Sequence, residues 1–301
     1  MEKIIVTGGA GFIGSHIVDR LIAEGYEVHI IDNLSSGKRE HVNEKAVLHI
    51  VDIRDNTKLL PIFKDAKYVF HEAAYPQVQY SIENPIETHD INVNGLLNIL
   101  EACRLSGVKR LIFAASSAAY GNQDTLPLVE TMEARPLSPY GAHKYIGEVY
   151  CKLWAELYGL ETVSLRYFNV YGPRQSFDGA YSSVIAKFIN LRTLGKPLTI
   201  TGDGEQTRDF VNVIDIARAN ILAMKSNAVG KGEVINIGGT NKTSVNYIAE
   251  LIGGPTEYID ARIEPRETLA DISKAKELLN WQPSINLEDG IKELKKNING
   301  K

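Results

Sequence analysis

The sequence predicts a doubly wound α/β fold: a parallel sheet with helices on both faces, joined to a smaller C-terminal lobe. Three observations lead there. Short β-rich apolar runs alternate with amphipathic helical stretches through the first half of the chain, the pattern left by right-handed crossovers in a parallel sheet. A glycine-rich segment, Thr7-Gly8-Gly9-Ala10-Gly11-Phe12-Ile13-Gly14, joins the first such run to the first helical stretch. After Tyr167 the alternation breaks into turns and shorter elements.

In chain order, strands are expected at Lys3–Thr7, Glu27–Asp32, Ala46–Val51, Tyr68–Glu72, Arg110–Ala115 and Glu161–Arg166. Helices are expected over Phe12–Glu24, Asn56–Lys64, Ile91–Ser106 and Pro139–Tyr158. Gly172–Ala180 reads as a turn-rich loop, followed by a helix over Tyr181–Leu194 and short strands at Leu198–Thr201 and Asp209–Val213. A helix over Asp215–Ser226, a strand at Glu233–Ile237 and several short helices complete the chain, with Ser273 as an N-cap and Pro283 ending that helix. The expected division is a sheet domain over 1–168, rejoined by a segment around 210–238, and a lobe over 169–301.

Bulk properties narrow the function. With 301 residues, 44% hydrophobic and 23% charged, the chain can bury a large core. A net charge of −4 without a polybasic stretch excludes a nucleic-acid footprint. No apolar run approaches the roughly 18 residues of a membrane span. Met1-Glu2-Lys3 runs directly into a strand, which leaves no room for a signal peptide. Cys103 and Cys151 lack metal or redox spacing and read as buried thiols. A cytoplasmic, metal-independent protein is expected.

Two motifs carry chemistry. In the first, Gly8, Gly11 and Gly14 allow a tight turn and a close approach of backbone to a pyrophosphate at a helix N-terminus. Asp32 ends the second strand 24 residues after Gly8. A carboxylate there accepts both ribose hydroxyls and repels a 2′-phosphate, so the expected cofactor is NAD. Asp52-Ile53, after the third strand, is placed to hold the adenine, with an ordinary strand-end carboxylate as the plain alternative. The second motif is Tyr140-Gly-Ala-His-Lys144. Of fourteen tyrosines only Tyr140 has a lysine four residues on, which puts both side chains on one helix face. Ser138-Pro139 starts that helix, and Ser116-Ser117 ends the preceding strand at the sheet's ligand-binding edge. The seven histidines form no cluster, and His143 reads as a surface or interface residue.

Together the glycine loop, Asp32, Ser116, the Tyr140/Lys144 pair and Leu165-Arg-Tyr-Phe-Asn-Val-Tyr-Gly-Pro173 resemble an extended short-chain dehydrogenase/reductase of the Rossmann class. More narrowly, the chain is similar to the NAD-dependent nucleotide-sugar epimerases and dehydratases, over essentially its whole length. Gly179–Val184, Thr201–Phe210 and Leu269–Lys274 fall where that family builds its UDP-sugar pocket. The resemblance implies Tyr140, Lys144 and Ser116 as catalytic residues. It implies NAD contacts from Gly8, Gly11, Phe12, Ile13, Gly14, Asp32, Asn33, Ser35, Ser36 and Gly37. Asp52, Ile53, Ala73, Ala74, Asn92 and Tyr167 would continue that site. Substrate contacts would come from Ser116, Ser117, Tyr140, Asn169, Ser183, Val184 and Phe188, with Arg208 on the pyrophosphate. Arg262 is a second arginine candidate, although the family's Arg-x-Gly-Asp reads Arg262-Ile-Glu-Pro here. The loop Ala73–Val78 also departs from the family pattern, which leaves contacts from Pro76 and Gln77 unassigned. Alignment on Leu269-Ala270-Asp271 puts Thr268 where a bulky tyrosine would exclude an N-acetyl group. The family's dimer bundle corresponds to Ile91–Ser106 and Pro139–Tyr158, and the second of these carries Tyr145, Val149, Leu153 and Trp154 beyond its catalytic face, so a homodimer is expected.

The chemistry can be argued separately. An alcohol gives up a hydride only as its proton leaves, so a base active near neutrality is required. Bringing a tyrosine from about 10 to about 7 costs roughly 4 kcal/mol. One positive charge at ~5 Å and an effective dielectric of ~20 returns roughly 3 kcal/mol. Lys144 with a nicotinamide cation would therefore hold Tyr140 as a phenolate, and Ser116 would relay the proton. Dehydratases of the family follow the Ser/Thr with Asp-Glu, whereas Ser116 is followed by Ser117-Ala118. The acidic partner of decarboxylases is missing too. The expected reaction is epimerisation of UDP-glucose and UDP-galactose at the fourth carbon through a 4-ketose, with the N-acetyl sugars as further substrates. A UDP-glucuronate epimerase or decarboxylase, or an NAD-sensing protein without activity, are the alternatives.

Overall fold

Along the first strand, β1 (Lys3–Thr7), Ile4 and Val6 enter one core and Ile5 another, and all three are fully buried. Successive side chains of a strand face opposite ways, so a strand apolar on both faces needs a layer on each. The computed structural model describes residues 1–176, 183–260 and 266–299, and it supplies both layers.

After β1 come α1 (Phe12–Ala23), β2 (Glu27–Ile31), β3 (Val47–His49), α2 (Asn56–Phe63) and β4 (Ala66–His71). Two short helices follow, α3 (Val78–Glu83) and α4 (Pro85–His89), then a π-helical turn over Asp90–Asn94 that runs into α5 (Gly95–Ser106). Next are β5 (Arg110–Ser116), α6 (Pro139–Tyr158), β6 (Glu161–Tyr167) and β7 (Asn169–Tyr171). The remainder holds α7 (Val184–Thr193), β8 (Leu198–Thr201), β9 (Thr207–Asn212), α8 (Val213–Lys225) and β10 (Lys231–Ile237). It closes with β11 (Lys242–Ser244), α9 (Val245–Ile252), β12 (Thr256–Ile259), α10 (Ser273–Leu279) and α11 (Leu287–Asn299).

Seven strands form one all-parallel sheet in the order β10-β6-β5-β4-β1-β2-β3. The order reverses between β1 and β4, the topological switch point beside which ligands of such sheets bind. Ile17, Val18 and Leu21 of α1 share one core with Ile216 and Ile221 of α8. On the other face, Leu59 of α2, Leu96 and Ile99 of α5 and Cys151 of α6 share the second. The smaller lobe holds a β11-β9-β7 sheet and a β12-β8 pair around Tyr171, Ile185, Leu198 and Ile248.

Several boundaries differ from expectation. β3 covers three residues, because it is an edge strand and Val47 and Ile50 are about half exposed there. α3 and α4 were not anticipated: at six and five residues, split by Asn84-Pro85, they are too short to display a helical period. The helix expected from Ile91 begins as the π turn. Val213 opens α8 instead of ending β9, because the Asn212 side chain accepts the Ile214 N–H at 3.0 Å. Ser273 is the first residue of α10 and not its cap; Asp271 Oδ1 accepts the Ser273 N–H at 2.7 Å. That helix ends at Asn280 in the left-handed conformation (φ 49°), before Pro283. The predicted segment Tyr181–Leu194 is seen as α7, and residues 177–182 lie outside the described residues. Among the described residues no helix is long and apolar enough to cross a membrane, and no cluster of His, Cys, Asp or Glu could hold a metal.

Candidate active site

A cleft opens over the carboxyl ends of β1, β2 and β4, lined by Gly8, Gly11, Phe12, Ile13, Gly14, Asp32, Asn33, Ser35 and Ser36. It continues past Asp52, Ile53, Ala73 and Ala74 to Tyr140, Lys144 and Tyr167. Two glycines explain its floor. Gly8 takes φ +69°, and a Cβ there would stand 2.7 Å from the Ala73 nitrogen. A Cβ on Gly14 would stand 2.3 Å from the Gly8 carbonyl. Only glycine lets the loop fold this closely and bring the start of α1 to the cleft, where a helix N-terminus can meet a pyrophosphate.

Asp32 is buried and locked. Its Oδ2 accepts the Ala10 N–H at 3.0 Å and its Oδ1 the Leu34 N–H at 2.8 Å. The lock fixes a carboxylate at the strand end, where ribose hydroxyls would be accepted, so the residues present fit NAD. Gly37 does not line the cleft; it backs Asp32, and a Cβ there would meet both carboxylate oxygens at 2.8 Å. Asp52 lines the cleft, yet its oxygens are filled. Oδ1 accepts the Arg54 N–H and Nε, each at 2.9 Å, and Oδ2 accepts Arg54 Nη2 at 2.8 Å and Asn33 Nδ2 at 3.0 Å. A carboxylate has about four acceptor sites, so Asp52 lines the cleft without a lone pair left to accept from an adenine. The Arg54 guanidinium keeps its carboxyl well below the usual range. Asn92 is also behind the wall: its amide accepts the Tyr75 N–H at 2.7 Å and donates to the Tyr75 carbonyl at 3.1 Å. Tyr75 and Pro76 line the cleft in consequence, and Gln77 does not.

The other end is built by β5, α6 and β6. Ser138 caps α6 by accepting the Gly141 N–H at 3.2 Å, with Pro139 in the first turn. The unanticipated α3 helps: Ser81 Oγ accepts the Tyr140 N–H at 3.1 Å. Gly141 and Gly147 let α6 lie close against the chain after β5 and against β5 itself, since a Cβ would come 2.6 Å from the Ala118 carbonyl and 2.4 Å from the Phe113 ring. Tyr140 and Lys144 thereby reach the cleft one turn apart. The Ser116 hydroxyl, at the end of β5, accepts the Ala118 N–H at 3.1 Å and is near enough to the Tyr140 phenol to lower its pKa. Ser117 turns away into a short 3-10 turn and does not line the cleft.

The electrostatics differ from the expected picture. Lys144 Nζ donates to the Ala114 carbonyl at 2.6 Å and lies 5.9 Å from the Tyr140 ring centre. Burial raises the Tyr140 phenol above its ordinary value, Ser116 pulls it down, and the charge acting on it is Glu72, which raises it. Lys144 is itself brought down to about 8 by burial, partly opposed by Glu72. His143 is buried and not on the surface; burial, His89 and Lys144 bring it down to about 4. Cys103 and Cys151 are free, buried thiols.

The expected substrate residues gather around β7, β9 and the strand-like segment before α10. Asn169 Nδ2 donates to the Asp209 carbonyl at 3.2 Å. The Asp209 N–H donates to Thr268 Oγ1 at 3.3 Å, and the Thr268 N–H to the Thr207 carbonyl at 3.2 Å. Arg208 Nη1 donates to the carbonyls of Thr207 (2.9 Å) and Arg266 (3.3 Å). Ser183 precedes α7, with its hydroxyl buried and lacking a hydrogen-bond partner among the described residues. Val184 is half-buried at the start of that helix. Phe188 is fully buried in the lobe's core, so it presents no surface to a uridine. Arg262 lies outside the described residues. Sequence reasoning missed Glu72, Arg54 and Tyr75. None lies in a recognised motif: Glu72 and Tyr75 follow β4 and meet Tyr167 and Asn92 far along the chain, while Arg54 turns back onto Asp52 two residues before it.

A profile of the NAD dependent epimerase/dehydratase family matches residues 4–238. A Methanocaldococcus jannaschii protein, provisionally named a UDP-glucose 4-epimerase, is 46% identical over 97% of this chain and 96% of its own. The structure of a Thermotoga maritima UDP-glucose 4-epimerase with UDP-glucose is 41% identical, covering 98% of this chain and 99% of the other, with a TM-score of 0.92. A UDP-N-acetylglucosamine 4-epimerase of Methanobrevibacter ruminantium M1, in complex with UDP-N-acetylmuramic acid, is 39% identical over 100% and 99% of the two chains, with a TM-score of 0.94.

Proposed function

The chain belongs to the NAD-dependent epimerase/dehydratase family, and we propose that within it the protein inverts the fourth carbon of a UDP-hexose through a 4-keto sugar. The observation that carries this reading is the pair Tyr140 and Lys144 at one end of the cleft, with Ser116 acting on the Tyr140 phenol and with Ser117-Ala118 in place of an acid–base pair after Ser116. NAD, when bound, supplies the acceptor and later the donor of the sugar's hydride. The glycine loop would seat its pyrophosphate, Asp32 its adenosine ribose, and Tyr140 and Lys144 its nicotinamide half.

Tyr140 takes the proton of the C4 hydroxyl as that carbon is oxidised, with Ser116 holding both oxygens in line. The carbonyl that results carries no stereochemistry at C4. The sugar turns in the pocket, Tyr140 returns its proton to the oxygen, and C4 is rebuilt from the opposite face. No group follows Ser116 to expel water, so the remaining hydroxyls survive.

Thr268 would set the breadth of the sugar site. Its oxygen accepts from Asp209, which leaves the hydroxyl proton free to meet an acetamide carbonyl. Extra room by itself adds little affinity, so plain and N-acetylated hexoses are both expected as substrates. Purified protein incubated with UDP-galactose or UDP-N-acetylgalactosamine and NAD should yield the corresponding gluco-epimer on chromatography. A keto-deoxy product would make it a dehydratase, and carbon dioxide from a UDP-uronate a decarboxylase. Thr268→Tyr should depress turnover of the N-acetylated sugar selectively; equal loss on both sugars would remove Thr268 as the gate.

A further inference from the structure

Glu72 follows β4 directly and lines the same end of the cleft as Tyr140, Lys144 and Tyr167. Its position is fixed from two directions. The Glu72 N–H donates to the Thr7 carbonyl at 3.2 Å, and its Oε1 accepts the Tyr167 hydroxyl at 2.9 Å. Asn220 Nδ2, from α8, donates to the Tyr167 oxygen at 2.7 Å and to the Ile216 carbonyl at 3.0 Å. The Tyr167 hydroxyl thus stands between the Glu72 carboxyl and the Asn220 side-chain amide, whose oxygen is a second acceptor at 3.1 Å. Donation from Tyr167 favours the ionised form of Glu72 and opposes the rise that burial imposes on it.

A carboxylate so placed has a consequence for the site, and the inference rests on the epimerase reading above. We propose that Glu72 is the counter-ion of the Tyr140–Lys144 pair, a positioning residue whose carboxylate sets the pH range in which that pair works. The neighbouring charges support the assignment. Glu148, the other acid near Lys144, is already paired with Arg166 through contacts of 2.7 and 2.6 Å. His71, beside Glu72 on β4, is held neutral by burial and by Lys144, at about 3. Lys144 also faces Glu148 and the Cys151 thiol from its own helix. Tyr167, from β6, is pushed well above its ordinary value. Among the described residues Glu72 is the charge that acts on Tyr140, and it raises it. Burial raises Glu72 itself, to about 7, with Tyr167 and Lys144 opposing.

The sign follows from charge alone. An anion raises the pKa of every acid around it, so removing it lowers them all. In Glu72→Gln the Tyr140 phenol ionises at lower pH, and Lys144, its burial no longer offset, also loses its proton at lower pH. Both limbs of the pH–rate curve for UDP-galactose then move in the acid direction, by about one pH unit for a charge at this range. Glutamine keeps the shape and can still accept the Tyr167 hydroxyl, so a purely structural role would change the height of the curve and leave its limbs in place. Tyr167→Phe, which removes the donor to the carboxylate, should move the limbs the same way by less.

The test that does not depend on turnover is nuclear magnetic resonance of ring-labelled tyrosine in the NAD-loaded protein. The Tyr140 signal is identified by its loss in Tyr140→Phe, and its titration is followed without sugar. The expected result is a midpoint about one pH unit lower in Glu72→Gln than in the parent protein. An unchanged midpoint overturns the proposal, whatever substrate the enzyme takes. If the midpoint moves while no UDP-sugar is converted, Glu72 stands as the counter-ion and the epimerase reading falls.

Discussion

Tyr140 is the residue on which the proposed chemistry depends, and its environment divides what sequence can and cannot convey. Its partner Lys144 lies four residues on, and Ser116 ends the neighbouring strand, so the catalytic group could be read from local spacing and strand order. Its charge balance could not. The sequence argument assigned the lowering of the phenol to Lys144 together with a nicotinamide cation; among the protein's own groups Ser116 lowers it, Glu72 raises it, and Lys144 points to the Ala114 carbonyl. Glu72 is separated from Tyr140 by the whole of α5 and β5, and no motif announces a contact of that kind. Asp52 is a similar case, since its saturation depends on Arg54 and Asn33 together. Tyr140→Phe should retain NAD and lose at least about a hundredfold in turnover, the usual cost of a lost general base. A near-parental rate would remove Tyr140 from the mechanism.

Among the elements, β9 does more than its length suggests. Asp209 is fully buried on it, and its carboxylate accepts N–H groups from Gly239 at 2.6 Å and Ala270 at 2.9 Å. Its backbone meets Asn169 and Thr268, so one residue ties three expected substrate segments together. Burial raises that carboxyl to about 6. Asp209→Asn turns an amide donor toward a backbone donor at one of these two contacts. The loss of one buried hydrogen bond is worth about 1.4 kcal/mol, or tenfold. The expected outcome is a rise in the KM for the UDP-sugar of that order with NAD affinity unchanged; equal losses for both ligands in calorimetric titration would mark Asp209 as a general stability residue. Long elements with a clear period, α6 and β1 above all, were legible to the residue. The short α3 and α4 were not, and the edge strand β3 shrank because one side of it has no pairing partner.

At the scale of the molecule, the parallel sheet follows from alternation, because strands buried on both faces admit few other arrangements; the strand order, with its reversal between β1 and β4, does not. The cleft falls where the order reverses, and the two motifs singled out in the sequence, Gly8–Gly14 and Tyr140–Lys144, line its two ends. The outer side of α6 is less complete. Tyr145 and Val149 are about two-fifths exposed, and Leu157 and Tyr158 more so, with Leu105 of α5 similarly exposed at 56%. Apolar side chains repeated along one helix call for a cover, and a second copy of the chain is the proposed one. Light scattering at micromolar concentration should give twice the chain mass; a stable monomer would exclude the dimer.

The central claim is that C4 is oxidised and rebuilt by returning the same hydride, with Tyr140 exchanging only the oxygen's proton. UDP-galactose carrying deuterium at C4 tests it most directly. The account predicts UDP-glucose that keeps the deuterium at C4, with none entering the water. Formation of the epimer with deuterium lost to solvent would contradict it.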